Sequence, residues 1–381
     1  MAGLSLGYEL ARDHAVVVLE AESAPAAHST GRSAALFLSG YGPQEVRKLS
    51  RASRPLFAEL QSALGTTPLL TPRGALLVAT EAAAADALDD WMTGSDMRPV
   101  AASRCVELCP VLDGTQVEHA GYDETASDID VDALLQGYLR GLRARGGALC
   151  VSALVVVAER CSAGWRVAAA DGRHWECDVV VNAAGAWGDE LWSLFGVAGH
   201  GLVPCRRTMA LARTDRRLDP RWPVVGDAAE AWYFKPEGTG VLVSPSDETP
   251  SEPCDARPDP LDLALALDRV NAVTTLDVRS IVRAWSGLRT FAPDRLPVVG
   301  RHPADDTLFS FVGQGGYGIQ AAPALASGAA DMLRGHAGGE YDMDVFAPTR
   351  DALQGQDVAG TASAMKSRIA AVNASRLAFQ E

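Results

Sequence analysis

The sequence predicts an α/β fold with an inserted α+β unit, and three observations carry the prediction. A small-residue helix over residues 2–12 leads into an apolar run at 15–19 that stops at an acid, Glu20. A second apolar run, 178–182, enters the small-residue turn Ala183-Ala184-Gly185-Ala186. A third, 308–312, enters Gly313-Gln314-Gly315-Gly316-Tyr317-Gly318, with four glycines in six positions. Parallel strands that each run into a small-residue turn let a ligand lie on the backbone, which is the Rossmann-like arrangement. Between residues 201 and 286 the helix–strand alternation weakens into short strands, a proline-rich loop and one helical arm, which predicts the insertion.

Composition narrows the partners. At 381 residues the chain is long enough for two or more domains. Its 48 acidic against 34 basic residues give a net charge of −14, which repels nucleic acid and anionic membrane surfaces and favours a small metabolite. No apolar run reaches the roughly 20 residues of a membrane span, and the first residues carry no secretory pattern, so a cytoplasmic location is expected. Seven scattered cysteines, the closest pair being Cys105 and Cys109, suit buried or free thiols better than a metal site.

Taken in order, Leu4, Leu6, Leu10 and Ala11 give the first helix an apolar side, and Gly3 allows close approach of a neighbour. Residues 15–19 read as a parallel strand covered on both faces. Glu20 at its end can accept two hydrogen bonds from a ribose diol, although an ordinary α/β packing unit shows the same pattern. The loop at 26–37 joins Ser29, Thr30, Gly31, Arg32, Ser33 and Ala34; it can hold phosphates, or it can be a helix N-cap region with a surface histidine, His28. Helices are expected at 46–64, 82–91 and 132–145, the last stopped by Gly146-Gly147. Strands are expected at 75–79 and 149–157, followed by a hairpin. Within the insertion, short strands are expected at 209–211, 231–234 and 240–243, a loop at 245–260 and a helix at 261–270. The glycine turn leads into a helix from about 320 to 333, which would set free N–H groups and a positive helix end at one point. An alanine-rich tail beyond Pro348 reads as a mobile or lightly docked extension. The Asn182-Ala183-Ala184-Gly185 segment also occurs in short-chain dehydrogenases, but no tyrosine here has a lysine four residues on.

The segments GLSLGYEL, VVVLEAE, HSTGRSAA, DIDVDALLQGYLRGLR, VVNAAGAW, WYFKPE, WSGLRTF and GQGGYGIQ, in this order, resemble the FAD-dependent D-amino-acid oxidase and dehydrogenase superfamily, and within it the D-arginine dehydrogenases. The resemblance runs from Met1 to about Pro348. It implies a discontinuous FAD-binding domain (1–65, 128–200 and 286–350), a substrate domain (66–127 and 201–285) and an extension (351–381). By the same resemblance, Glu20 would hold the adenosine ribose. Ser29, Thr30, Arg32, Ser33 and Ala34 would line the flavin and pyrophosphate, and Ala184 and Gly185 would face the adenine side. Gly315, Gly316, Tyr317, Gly318 and Ile319 would border the N1–C2=O edge of the flavin beside a helix N-terminus. Arg289 and Arg207 would clamp a substrate carboxylate, Tyr233 would hydrogen-bond it, and Tyr41 and Gln314 would border the reacting centre.

The implied activity is oxidative deamination: hydride leaves the substrate Cα for the flavin, and the imino acid hydrolyses to a 2-oxo acid and ammonia. No dedicated general base is required, and oxygen or a quinone would reoxidise the flavin. Two departures bear on the substrate. D-Arginine dehydrogenases carry a histidine after Ser-Ala-Ala where this chain has Leu36. They carry a glutamate for the cationic side chain where Ala75 follows Pro72-Arg73-Gly74. Both point to neutral or apolar D-amino acids, since a buried guanidinium without a carboxylate costs several kcal/mol. Glycine, sarcosine or another secondary amine is the alternative substrate class. Gly3 matches the last glycine of the family's Gly-x-Gly-x-x-Gly turn, so the first strand and two glycines are expected upstream of Met1, from a start assigned too late. A truncated protein unable to hold FAD, acting as a binding partner, is the remaining expectation.

Overall fold

The computed structural model describes residues 1–81, 84–336 and 341–354. Helical spacing of apolar residues builds its first body. Helix Val131–Ala144 is capped by Asp130, whose carboxylate accepts from the Ala133 N–H, and it buries Leu134, Leu135, Leu139 and Leu142. These side chains form one cluster with Leu4 and Tyr8 of helix Ala2–Leu10 and Phe57 of helix Gln44–Leu64. Helix Ala322–Arg334 is buried along most of its length; Ala324, Ala326, Ala329 and Ala330 have so little bulk that helices Ala2–Leu10 and Gln44–Leu64 pack closely on it. Val17–Leu19 runs parallel to Ala148–Cys150, and Val180–Asn182 runs parallel to Asp305–Val312. The α/β class is thus observed.

A large mixed sheet forms the second body. Its strands lie in the order Thr249–Pro250, Val203–Arg213, Gly240–Ser244, Tyr233–Glu237, Val224–Asp227, Ala75–Ala79, His119–Asp123 and Arg98–Pro99, with Ser280–Phe291 also paired to Val203–Arg213. Side chains alternate across it. Leu76, Val78, Val225, Phe234 and Val243 pack with Ala266 and Val270 of helix Pro260–Val273, and Cys105 and Cys109 are buried in this core. Ala75, Leu77 and Val224 point from the opposite face into a cavity.

Several expectations are corrected. Strand Val17–Leu19 is not covered on both faces, because Val17 is 47% exposed. Residues 149–157 are not one strand: the chain turns at Ser152, at φ 51, between Ala148–Cys150 and Val155–Cys161. Of the short strands expected in the insertion, 231–234 and 240–243 are met by Tyr233–Glu237 and Gly240–Ser244, but 209–211 is part of the long Val203–Arg213, and Ser280–Phe291 runs across the expected boundary at 285. Arginines at 206, 207, 213, 283 and 289 break the apolar runs that would mark these strands. The tail is docked at its start, where Arg350 donates to Asp294 at 2.7 and 2.9 Å; residues 355–381 lie outside the described residues. Among the described residues no helix is long and apolar enough to cross a membrane.

Candidate active site

The site is set by the Val203–Arg213 and Ser280–Phe291 ladder. Arg207 lies opposite Gly287 and Cys205 opposite Arg289, so both arginines project from one face. Arg206, one residue earlier, points the other way and pairs with Asp262 of helix Pro260–Val273 at 2.7 Å. On the cavity face Arg289 donates from Nη1 to Tyr41 Oη at 2.7 Å. Tyr41 stacks on Trp91, with centroids 5.6 Å apart and planes at 18°, and meets Tyr317 edge-on. Burial pushes the Tyr41 phenol pKa up against the opposing pull of Arg289, so the hydroxyl stays protonated. Burial also disfavours the Arg289 cation, but the surrounding tyrosine and glutamate oxygens outweigh it and raise its pKa.

Arg207 is arranged differently. Its Nε donates to Asp247 O at 2.7 Å and its Nη2 to Glu248 Oε1 at 3.1 Å, and Glu248 is shared with Arg295. Arg207 therefore reaches the cavity already holding a carboxylate. Tyr233 lies on the Tyr233–Glu237 strand between Val224–Asp227 and Gly240–Ser244, and its Oη is buried with no hydrogen-bond partner. Gln314 Nε2 is buried and unpartnered as well. Buried groups are normally satisfied, so an unpaired donor that lines a cavity, as Tyr233 Oη does, marks where a ligand belongs, whereas Gln314, expected at the reacting centre, is not among the lining residues.

The glycine turn supplies the opposite wall. Gly315 adopts φ +54 and donates its N–H to Thr290 O at 2.9 Å. A Cβ at Gly316 would lie 2.7 Å from Arg289 Nη1 and 2.9 Å from Tyr41 Oη, so only a glycine leaves the clamp in place. Gly318 packs on the Gln314 side chain, and Tyr317 Oη donates to Arg295 O. The helix expected from about 320 runs from Ala322 to Arg334, but the free N–H groups expected at its start are taken: Ala322 N donates to Ile319 O at 3.2 Å and Ala324 N to Ser53 Oγ at 3.1 Å.

One cavity brings together Ser33, Ala34, Tyr41, Arg207, Tyr233, Arg289, Gly316 and Ile319. Apolar side chains of Leu36, Leu38, Leu77, Trp91 and Met97 complete it. Gly3, Glu20, Ser29, Thr30, Ala184 and Gly185 do not line it and form a second group. Gly3 packs against Val18 and Ala183, Glu20 Oε1 accepts the Glu22 N–H at 3.1 Å, and Ala184 donates to Asn182 Oδ1 at 3.1 Å. His28 lies beside this second group: Nε2 meets Glu22 Oε1 at 2.8 Å, its ring lies 4.7 Å from Trp187, and its buried Nδ1 has no partner. Arg32 is corrected as a phosphate ligand. Its guanidinium is engaged by Ser286 O, Ala256 O and Asp255, which fastens the loop to the Ser280–Phe291 strand. Ser29 does the same through its 2.6 Å bond to Leu288 O. Glu230 and Asp123 also line the cavity, and sequence reading passed over both. Glu230 sits in a turn with no motif around it, whereas the Asp123-Glu124-Thr125 run carries a recognisable turn signal.

The two groups together offer the chemistry of a dinucleotide site. They offer an acid at a parallel strand end, open space over Gly185 at φ +57, the orphaned His28 Nδ1 and a glycine-walled cavity. Residues 1–332 match the family of FAD dependent oxidoreductases known as DAO. The chain belongs to that family. FAD is its cofactor, and the residues present fit it. FAD-dependent oxidoreductase domain-containing protein 1 of Bos taurus is 34% identical over 190 residues, 42% of this chain and 37% of its own length. Mitochondrial dimethylglycine dehydrogenase of Homo sapiens is 25% identical over 376 residues, 91% of this chain and 43% of its own. The chain thus spans less than half the length of these curated relatives. Glycine oxidase from Geobacillus kaustophilus shares the fold, with a TM-score of 0.79 at 23% identity over 91% of this chain and 95% of that one. None of these three is a D-arginine dehydrogenase.

Proposed function

We propose that this FAD-dependent oxidoreductase oxidises the Cα–N bond of neutral amino acids, with D-amino acids of apolar side chain as its substrate class. The observation that carries the reading is that Arg289 and the unpartnered Tyr233 Oη line one cavity, which also has an apolar wall of Leu36, Leu38, Leu77, Trp91 and Met97. Arg289 binds the substrate carboxylate, and Tyr233 Oη donates a further hydrogen bond to it. Tyr41 fixes the Arg289 side chain, so little of its freedom is lost on binding. Arg207, held by Glu248, adds positive potential rather than a free fork. The apolar walls exclude water from the Cα.

When bound, FAD supplies the two-electron acceptor for the hydride leaving Cα. Glu20, the Ser29–Ala34 loop and the Gly315–Ile319 turn are the residues that would hold it. The imino acid released from a primary amine hydrolyses in water to a 2-oxo acid and ammonia. Asp123 lies opposite Ala75 across the sheet, yet Ser39 Oγ, Thr125 N and Thr125 Oγ1 already donate to it, so Asp123 is not a free partner for a guanidinium. A kinetic panel tests the reading: D-alanine, D-valine and D-leucine should exceed D-arginine and D-lysine in kcat/KM, and the reverse order overturns it.

A second reading, glycine and its N-methyl derivatives, is favoured by the names of two relatives, dimethylglycine dehydrogenase and glycine oxidase. The same carboxylate clamp serves it, and the apolar wall would then hold N-methyl groups. Sarcosine and dimethylglycine in the same panel separate the two.

A further inference from the structure

The cavity opens into a vestibule that shares Trp91, Arg207, Glu230 and Ser246 with it and adds Asp90, Glu248 and Arg295. Its charges divide into those already matched and those that are not. Arg207 and Arg295 both bind Glu248. Asp90 binds Arg47 at 2.5 Å. Of the inner carboxylates, Asp123 accepts from Ser39 and Thr125, and Asp227 Oδ2 accepts the Ala231 N–H at 3.1 Å. Glu230 alone among the lining carboxylates has a carboxylate that forms no hydrogen bond or ion pair with the described residues. Arg289 has only the neutral Tyr41.

Glu230 is also held where it is at some cost. It has φ 58, a left-handed conformation that a residue with a Cβ seldom adopts, and its N–H donates to Asp227 O at 3.0 Å. Ser246 at φ 54 and Arg295 at φ 66 share this conformation, and all three line the vestibule. Strain kept in side-chain-bearing residues around an opening is typical of ligand clamps.

An α-amino acid in water carries one carboxylate and one ammonium group. The cavity and its mouth present one cation, Arg289, and one carboxylate, Glu230, whose side chains form no ion pair among the described residues, although each lies close enough to feel the other's charge. We propose that Glu230 is the residue that recognises the substrate nitrogen, receiving the ammonium or alkylammonium group while Arg289 takes the carboxylate. The assignment rests on the functional reading above and gives it a second selective element. Glu230 admits ligands with a positive nitrogen beside the carboxylate and repels those with a second carboxylate there.

The test uses the FAD-loaded protein and a matched pair of ligands. 2-Aminoisobutyrate has no Cα hydrogen and cannot be oxidised, and 2-methylpropanoate is the same skeleton without the amine. Binding is read by calorimetry or by the shift of the flavin visible spectrum. The wild type should bind the amino acid more tightly than the plain carboxylate. Glu230→Gln should weaken 2-aminoisobutyrate by about tenfold or more, the usual effect of a charged hydrogen bond, and leave 2-methylpropanoate unchanged or tighter. Glu230→Asp should restore part of the lost affinity. Arg289→Met should weaken both ligands. A Glu230→Gln protein that loses affinity for both ligands equally, or for neither, overturns the role of Glu230 while leaving the functional reading intact. A wild type that binds neither ligand overturns that reading and this one with it.

Discussion

Arg289 and Tyr41 are joined by a 2.7 Å hydrogen bond from Nη1 to the phenol oxygen, and this bond ties the long insertion strand to the segment that follows the Ser29–Ala34 loop. The carboxylate clamp is therefore built across two bodies of the fold. Arg289→Met should raise KM for a carboxylate substrate by roughly a hundredfold, the worth of a bidentate charged contact. Arg289→Lys should recover only part, because a point charge lacks the planar fork. Steady-state kinetics checks both, and an unchanged KM in the methionine variant removes Arg289 from the site.

Tyr233→Phe should separate stability from function. The hydroxyl is buried without a partner, so removing it relieves an unmet desolvation cost, and Tm should stay level or rise slightly. KM should rise several-fold, since the ligand loses a donor. Thermal unfolding and kinetics on the same sample decide this.

Gly316→Ala should damage the clamp without unfolding the protein. The new Cβ would stand 2.7 Å from Arg289 Nη1, and the end of a flexible side chain can swing away. The expected result is a Tm near that of the wild type and a KM raised by about tenfold. A large fall in Tm would mean that the glycine serves packing instead.

Acid stability should depend on a buried histidine. His200 is pushed down to about 3, chiefly by burial, with His302 and Arg350 adding to it; its Nε2 accepts from Trp192 Nε1 at 3.2 Å. The folded value is below the unfolded one near 6.5, so the unfolded chain binds more protons between them. Stability is then retained above about 6.5 and declines as pH falls toward 3. Burial also lowers His302, which acts in the same direction. His200→Gln should flatten the fall in Tm between pH 7 and 4, as followed by circular dichroism.

What could be read from sequence divides along physical lines. The leucine spacing of helix Val131–Ala144 and the Gly146-Gly147 stop after it are local, and the segment folds as they indicate. The glycines at 315 and 316 are also legible, because few other residues leave the close approach to Phe291 and Arg289 open. Arg206 and Arg207 look alike in sequence, and only the strand pleat sends one to Asp262 and the other to the cavity. Arg32 looks like a phosphate ligand until the loop docks on Ser286 and Asp255. Glu230 cannot be read at all, because its place follows from a left-handed turn and from the residues that distant strands bring to the same opening.

The central claim is that the FAD-loaded protein takes electrons from an α-amino carboxylate held by Arg289 and Tyr233. Anaerobic titration followed by loss of the flavin visible absorbance tests it most directly. D-Alanine, D-valine and D-leucine, with glycine and sarcosine alongside, are compared with ethylamine and isobutylamine, which lack the carboxylate. Neutral amino carboxylates should bleach the flavin and the plain amines should not. Equal bleaching by the plain amines, or none by any amino carboxylate, would contradict it.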